Sequence, residues 1–399
     1  MATNSVFDER NRDFFAQARS AALRSAFRAA RRAVFGGGGG GGIPGAARNV
    51  ARLVGIARDQ GRQATKRRIA AGEDRTVPGI LIASVTRKCN LDCTGCYSRT
   101  LRPGASAELS DGRFLELFSE AAELGVGTLM IAGGEPLIRR GLLESVAKLR
   151  GLVVPVFTNG TLMDEGYLDL FSSGHLIPIF SVEGDAAFTA ERRGSGIHEG
   201  VLAAAAELRS RGALFGFSVT LTSKNADSVL TDRFLAGIGS LGASILFLIE
   251  FVPVSPGGEE LILADAQKAE LSRPGRFDRL PYMTVSLPGD EEAFGGCLAA
   301  GRGFIHLADD GALEACPFAP FSDTSAADRS LREALDSPLM RAIRGRHSEL
   351  TETKGGCALW NKKGWVASLG ACAGREKNPE TGTAEAMARE AEEARGLPA

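Results

Sequence analysis

From residue 79 onward, short apolar runs alternate with longer segments whose apolar positions recur every three or four residues. "GILIASVT" (79–86), "TLMIA" (128–132), "LVVPVFT" (152–158), "LIPIFSV" (176–182), "LFGFSVTLT" (214–222) and "SILFLIEFVPV" (244–254) read as strands. Helices fit between them near 110–124, 140–150, 163–172, 198–211 and 227–240. Strands covered on both faces by crossover helices are apolar throughout, as these are, so the sheet is expected to be parallel. Six such units predict a partial (β/α)6 barrel of TIM type rather than a closed eight-fold one. In such barrels the chemistry gathers in the loops after the strands' C-terminal ends.

Upstream the pattern changes. Residues 14–35, "FFAQARSAALRSAFRAARRAVF", place Leu23, Phe27, Ala30 and Val34 on one helical face and Arg24, Arg28, Arg31 and Arg32 on another. Seven glycines (36–42) then form a hinge, and a second Arg-rich segment (46–71) leads to the first strand. Residues 1–75 carry fifteen Lys or Arg against six Asp or Glu, nine net positive, within a chain whose total is -1. The remainder is therefore ten net negative, so any membrane-surface contact belongs to the extension, at 14–35. The overall balance does not suit nucleic acid. The longest apolar run is interrupted by Glu250 and falls short of the roughly 20 residues that span a bilayer. With no secretory h-region, a cytoplasmic location is expected. Four units follow: a basic helical extension (1–75), a core (76–290), a small α+β extension (291–372) and an exposed tail (373–399).

Seven cysteines in a reducing compartment point to metal ligation or catalysis rather than to disulfides. Three stand in "KCNLDCTGCYSR": Cys89, Cys93 and Cys96. Taken alone, this spacing suits three corners of a cuboidal iron–sulfur cluster, half of a zinc site, or a redox pair with a spectator. A second group, Cys297, Cys316, Cys357 and Cys372, follows the barrel. In it "GFIHL", a "DDG" turn and "ALEAC" read as a β-hairpin that brings two thiols together.

The three-cysteine loop after the first strand, with Gly133-Gly134-Glu135-Pro136 after the second, resembles the radical S-adenosylmethionine superfamily over residues 78–255. The resemblance implies that Cys89, Cys93 and Cys96 bind a [4Fe-4S] cluster whose fourth iron chelates S-adenosylmethionine, whose reductive cleavage yields a hydrogen-abstracting 5'-deoxyadenosyl radical. It implies further roles. Gly133 and Gly134 admit the methionine end of the cofactor, Glu135 accepts from its ammonium and Tyr97 flanks its adenine. Thr158, Asn159 and Gly160 close the third strand, Ser181 and Glu183 face the ribose, and Arg193, or its neighbour Arg192, pairs with the cofactor carboxylate. The downstream cysteines resemble a SPASM or twitch extension. Four cysteines rather than seven fit the one-cluster twitch type, with Cys297, Cys316, Cys357 and Cys372 holding a second [4Fe-4S] cluster; a zinc site is the alternative.

The implied protein is an oxidoreductase that takes electrons from a flavodoxin or ferredoxin and acts on a peptide side chain or a small or lipid-like molecule. The competing class is a non-catalytic iron–sulfur or zinc scaffold. Asp290, Glu291, Glu292 and Tyr282 are candidates for a base or relay that completes the reaction.

Overall fold

The computed structural model describes residues 43–102, 107–173, 175–255, 257–287, 296–350 and 357–372. The 14–35 segment, the glycine hinge, the acidic 290–292 loop, the tail from 373 and the side chain of Cys372 lie outside the described residues.

Nine strands form one sheet: β1 (Ile80–Ser84), β2 (Thr128–Ala132), β3 (Val154–Thr158), β4 (Leu176–Val182), β5 (Gly216–Leu221), β6 (Ile245–Glu250), β7 (Met283–Leu287), β8 (Phe304–Leu307) and β9 (Leu313–Glu314). Their order is β7-β6-β5-β4-β3-β2-β1-β8-β9. All neighbours are parallel except β8 and β9. The result is a half-barrel, and the six expected strands are its centre.

Two edges go beyond the expectation. "MTVSL" adds β7 beside β6. The expected C-terminal hairpin forms as β8–β9, but β8 also pairs parallel with β1, Ile82 opposite His306. The extension is thereby hydrogen-bonded onto the barrel at the strand that feeds the cysteine loop.

The helices are α1 (Ile43–Gly72), α2 (Tyr97–Leu101), α3 (Asp111–Leu124), α4 (Arg140–Val146), α5 (Glu165–Ser173), α6 (Ala186–Arg193), α7 (Ile197–Ser210) and α8 (Asp232–Leu241). The last is shorter than expected, because a separate turn, Ala226–Val229, precedes it and Thr231 caps its first turn through Phe234 N. Between β6 and β7 comes α9 (Asp265–Leu271), and beyond the barrel come α10 (Leu331–Leu335), α11 (Pro338–Gly345), α12 (Ala358–Asn361) and α13 (Lys363–Cys372).

Apolar side chains pack in two bodies. The larger joins the outer sheet face to the helices and continues into the extension through Cys297, Cys316 and Cys357. The smaller fills the lumen with Met130, Ile179, Ile245 and Phe247, flanked by Ile80, Ile82 and Phe157. This plug ends below the strand tips, where the inward positions turn polar: Ser84, Ser181 and Ser218.

The second Arg-rich segment of the extension is α1. Its Gln60, Gln63 and Lys66 donate to the carbonyls of Gly127 (2.7 Å), Gly151 (3.0 Å) and Ala122 (2.8 Å). Gly127 and Gly151 precede β2 and β3, so α1 straps the N-terminal ends of the strands, opposite the loops that carry chemistry. No described helix is long and apolar enough to cross a membrane.

Candidate active site at the barrel mouth

The cysteine loop leaves β1 at Val85 and returns as α2, with Cys96 at the N-cap. Because these residues lack regular structure, neighbouring loops must satisfy their backbone groups. The glycine turn after β2 does this first: Gly134 N donates to Thr86 O (2.6 Å) and Glu135 N to Lys88 O (2.8 Å). Close apposition requires both glycines. Gly133 has φ +128°, and a Cβ there would lie 2.5 Å from Thr86 O; at Gly134 it would lie 2.1 Å from Lys88 O. Packing of the turn against the cysteine loop therefore already demands the pair, before any cofactor is considered.

Further ties come from three directions. Asn159, after β3, donates Nδ2 to Asn90 Oδ1 (2.9 Å) and lies 4.0 Å from Cys89 Sγ. On α6, Arg192 O accepts from Thr94 N (3.0 Å) while Arg192 Nε donates to Thr94 O (3.2 Å). At the loop's base, Arg87 binds Asp309 and Asp310 of the hairpin turn. Barrel and extension both grip the loop.

Cys89 is exposed, Cys93 and Cys96 are half-buried, and none is in a disulfide. Burial pushes the Cys93 thiol up while Arg193 and Arg192 oppose it; Cys89 is raised chiefly by burial as well. The thiols share electrostatic contact, yet among the described residues no three His, Cys, Asp or Glu side chains converge as a single metal ion requires. A cuboidal cluster suits such a loop better, because it places each thiolate on a separate iron.

Two candidate residues are already hydrogen-bonded within the chain. Glu135 does not point at the mouth. It is 1% exposed, and its Oε1 accepts from Leu137 N (3.0 Å) and Thr158 Oγ1 (2.7 Å) while Oε2 accepts from Asn159 N (2.8 Å). Its carboxylate braces the ends of β2 and β3 against each other. Arg193 Nε (2.7 Å) and Nη2 (2.5 Å) both bind Glu183 Oε1, which Arg192 Nη1 shares (2.9 Å). This crowding leaves Glu183 Oε2 buried with no hydrogen-bond partner among the described residues. A buried carboxylate oxygen with an open lone pair is a site for a hydroxyl donor such as a ribose. Ser181 lies two residues earlier, its Oγ 3.2 Å from Ser218 Oγ.

Tyr97 makes its ring contact with the extension. Its ring packs on Phe318 of the extension, centroids 4.7 Å apart, and burial pushes its phenol up to about 12, with Arg102, Cys96, Cys316 and Glu314 within electrostatic reach. The ring thus lies between the two cysteine groups. Tyr282 is remote: its hydroxyl donates to Leu235 O on α8 (2.8 Å), and it belongs to the outer core. It is no relay candidate.

In the extension, Cys297, Cys316 and Cys357 are all buried. A hydrogen bond with Cys357, burial and the nearness of Cys357 and Cys297 hold the Cys316 thiol well above its ordinary value. Thiolates confined this closely repel one another, and coordination to iron would relieve that repulsion. Trp360, three residues beyond Cys357, fastens this pocket to the loop after β6 through Pro253 O (3.1 Å).

Sequence reasoning missed four buried polar residues near the mouth: Ser84, Arg102, His306 and Glu314. A signal existed in "GFIHLA", where one imidazole interrupts an apolar strand.

Residues 83–233 match the family model described as the radical SAM superfamily. The chain is 41% identical over 92 residues to a protein of Methanopyrus kandleri named "Probable GTP 3',8-cyclase", a match covering 23% of this chain and 30% of that protein. It is 26% identical over 317 residues to an AdoMet-dependent heme synthase of Methanosarcina barkeri, covering 72% and 89%. Streptococcus suis SuiB bound to its precursor peptide SuiA has a similar fold, with TM-score 0.58 at 16% identity over 78% of this chain and 75% of that one. Residues 83–233 carry the match to the radical SAM superfamily, and the half-barrel and the thiol loop seated on a two-glycine turn agree with it.

Proposed function

We propose that the chain is an enzyme that reductively cleaves S-adenosylmethionine and abstracts hydrogen from an organic substrate held over the barrel mouth. Cys89, Cys93 and Cys96 would hold a [4Fe-4S] cluster with one iron open to the cofactor, and the cluster supplies the electron that breaks the sulfonium bond. The carrying observation is the seat of the thiol loop on Gly133 and Gly134 beside a buried carboxylate with an unused oxygen. The chain's own residues then have revised tasks. The glycine turn places backbone groups at the mouth, Glu183 Oε2 accepts from a ribose hydroxyl with Ser181 beside it, and Arg192 and Arg193 fix the Glu183 side chain through its other oxygen. Glu135 acts through the backbone it braces.

Cys297, Cys316 and Cys357 would hold an auxiliary iron–sulfur cluster, with Cys372 as the fourth candidate ligand. A flavodoxin- or ferredoxin-type reductant supplies electrons. The substrate classes are a peptide side chain, supported by the fold shared with peptide-bound SuiB, and a small molecule, supported by the long alignment with the heme synthase.

Anaerobic reconstitution followed by reduction with S-adenosylmethionine should release 5'-deoxyadenosine, and the Cys89→Ala, Cys93→Ala, Cys96→Ala triple variant should release none. An iron-loaded wild-type chain that leaves the cofactor intact would instead favour the scaffold reading. Deuterium transfer into 5'-deoxyadenosine from labelled peptides or small molecules then sorts the substrate class.

A further inference from the structure

His306 projects from β8 at the register of Ile82, whose side chain lines the lumen. It is 0% exposed and sits in a chain of polar groups: Ser84 Oγ lies 2.9 Å from Nε2, and Glu314 Oε2 lies 2.6 Å from Nδ1. Glu314 in turn pairs with Arg102, whose Nη2 also donates to Pro317 O (3.1 Å), directly after Cys316.

The chemistry of the partners assigns the protons. An ionised carboxylate only accepts, so His306 Nδ1 carries the hydrogen and donates to Glu314. Nε2 is then an acceptor, and the Ser84 hydroxyl donates to it. In this state the 3.4 Å approach of Arg102 Nη2 to Nδ1 sets donor against donor and is no bond. Burial lowers the imidazole's proton affinity, Glu314 and Asp310 raise it and Arg102 lowers it. Asp309 and Asp310, in the turn joining β8 to β9, are themselves bound by Arg87, and Tyr97 is the other ionisable group within reach of Glu314 and Arg102. With Nδ1 donating to Glu314, His306 is neutral at rest, its unprotonated Nε2 accepting from Ser84.

We propose that Ser84 and His306, with Glu314 as orienting carboxylate, form a proton relay between the lumen and the auxiliary thiol pocket. The relay rests on the proposed radical chemistry. Once the substrate has lost a hydrogen atom, its oxidation requires one more electron and one proton to leave. Ser84 Oγ takes the proton as its own hydrogen passes to His306 Nε2. Cys297, Cys316 and Cys357 would hold an iron–sulfur group able to take up the electron, and Cys316 lies two residues after Glu314, just past the end of β9. The substrate would end oxidised by two electrons, one of them taken up by the group those cysteines would hold, and His306 would be left cationic between Glu314 and Ser84.

This link between electron and proton is measurable without a substrate. In the full chain with Cys89, Cys93 and Cys96 replaced by Ala, only the auxiliary site can hold a cluster. Its midpoint potential, followed by electron paramagnetic resonance from about pH 6 to about pH 9, should fall by about 59 mV per pH unit, the tenfold proton change converted for one electron. His306→Gln should flatten the dependence, whereas Ser84→Ala, which keeps the imidazole and its carboxylate, should retain it.

A flat potential with a loaded auxiliary site overturns the relay alone, and does not depend on the His306 or Ser84 variants folding. An unchanged slope in His306→Gln, or its loss in Ser84→Ala, overturns it too. An auxiliary pocket that takes up no iron overturns the auxiliary chemistry together with the relay.

Discussion

Gly134→Ala should abolish cluster loading at the first site and destabilise the chain by about 3 kcal/mol, the upper end of overpacking costs. The added Cβ would meet Lys88 O at 2.1 Å, Lys88 C at 2.6 Å and Arg87 O at 2.7 Å. These are backbone atoms that cannot rotate away, so the turn or the cysteine loop has to shift. Either shift breaks the bonds from Gly134 N to Thr86 O and from Glu135 N to Lys88 O that align the thiols. Gly200→Ala is the matched control: it lies in α7, and nothing stands within 4 Å of its Cβ position. It should be neutral or stabilising by about 1 kcal/mol from helix propensity. Denaturant unfolding of both variants, with iron counts after reconstitution, checks the contrast. A Gly134→Ala chain with wild-type iron and stability would refute the packing argument.

Arg102→Met should cost the iron-free chain roughly 3 to 5 kcal/mol at neutral pH, because it strands the Glu314 carboxylate in a site 4% exposed. In the native chain burial pushes that carboxyl up, but Arg102 and His306 outweigh it and hold the carboxyl below its ordinary value. A depressed carboxyl stabilises the fold above its unfolded value of about 4.3, and that contribution is lost as pH falls through the folded value. Without Arg102 the carboxyl is instead raised, and the penalty of ionising it disappears on acidification. The stability gap between the two chains should therefore narrow as pH falls from about 7 to about 4, the remainder being lost below the depressed value of the native carboxyl. Urea midpoints across that range test this; a constant gap would show that Arg102 acts through packing alone. Arg102→Met/Glu314→Gln, which removes both charges, should recover much of the loss.

Both positions bear on what could be read along the chain. The central strands were legible because parallel strands covered on both faces are apolar throughout, and the thiol loop was legible because its ligands lie within eight consecutive residues. The hairpin of the extension was equally local, with its turn chemistry written in "DDG". None of these required long-range information.

What only tertiary structure decided is where each polar group spends its bonds. Glu135, Arg193 and Tyr97 lie at the expected places in the chain, yet β3, Glu183 and Phe318 respectively claim them. Sequence spacing does not record competition among donors and acceptors brought together from distant segments. The same holds for Ser84 and His306, 222 positions apart and joined because β8 pairs with β1. Local pattern thus determined the elements and the thiol ligands of the first site. The pairing of β8 with β1, a contact between distant segments favoured by burial and backbone hydrogen bonding, decided which residues lie between the two groups of thiols.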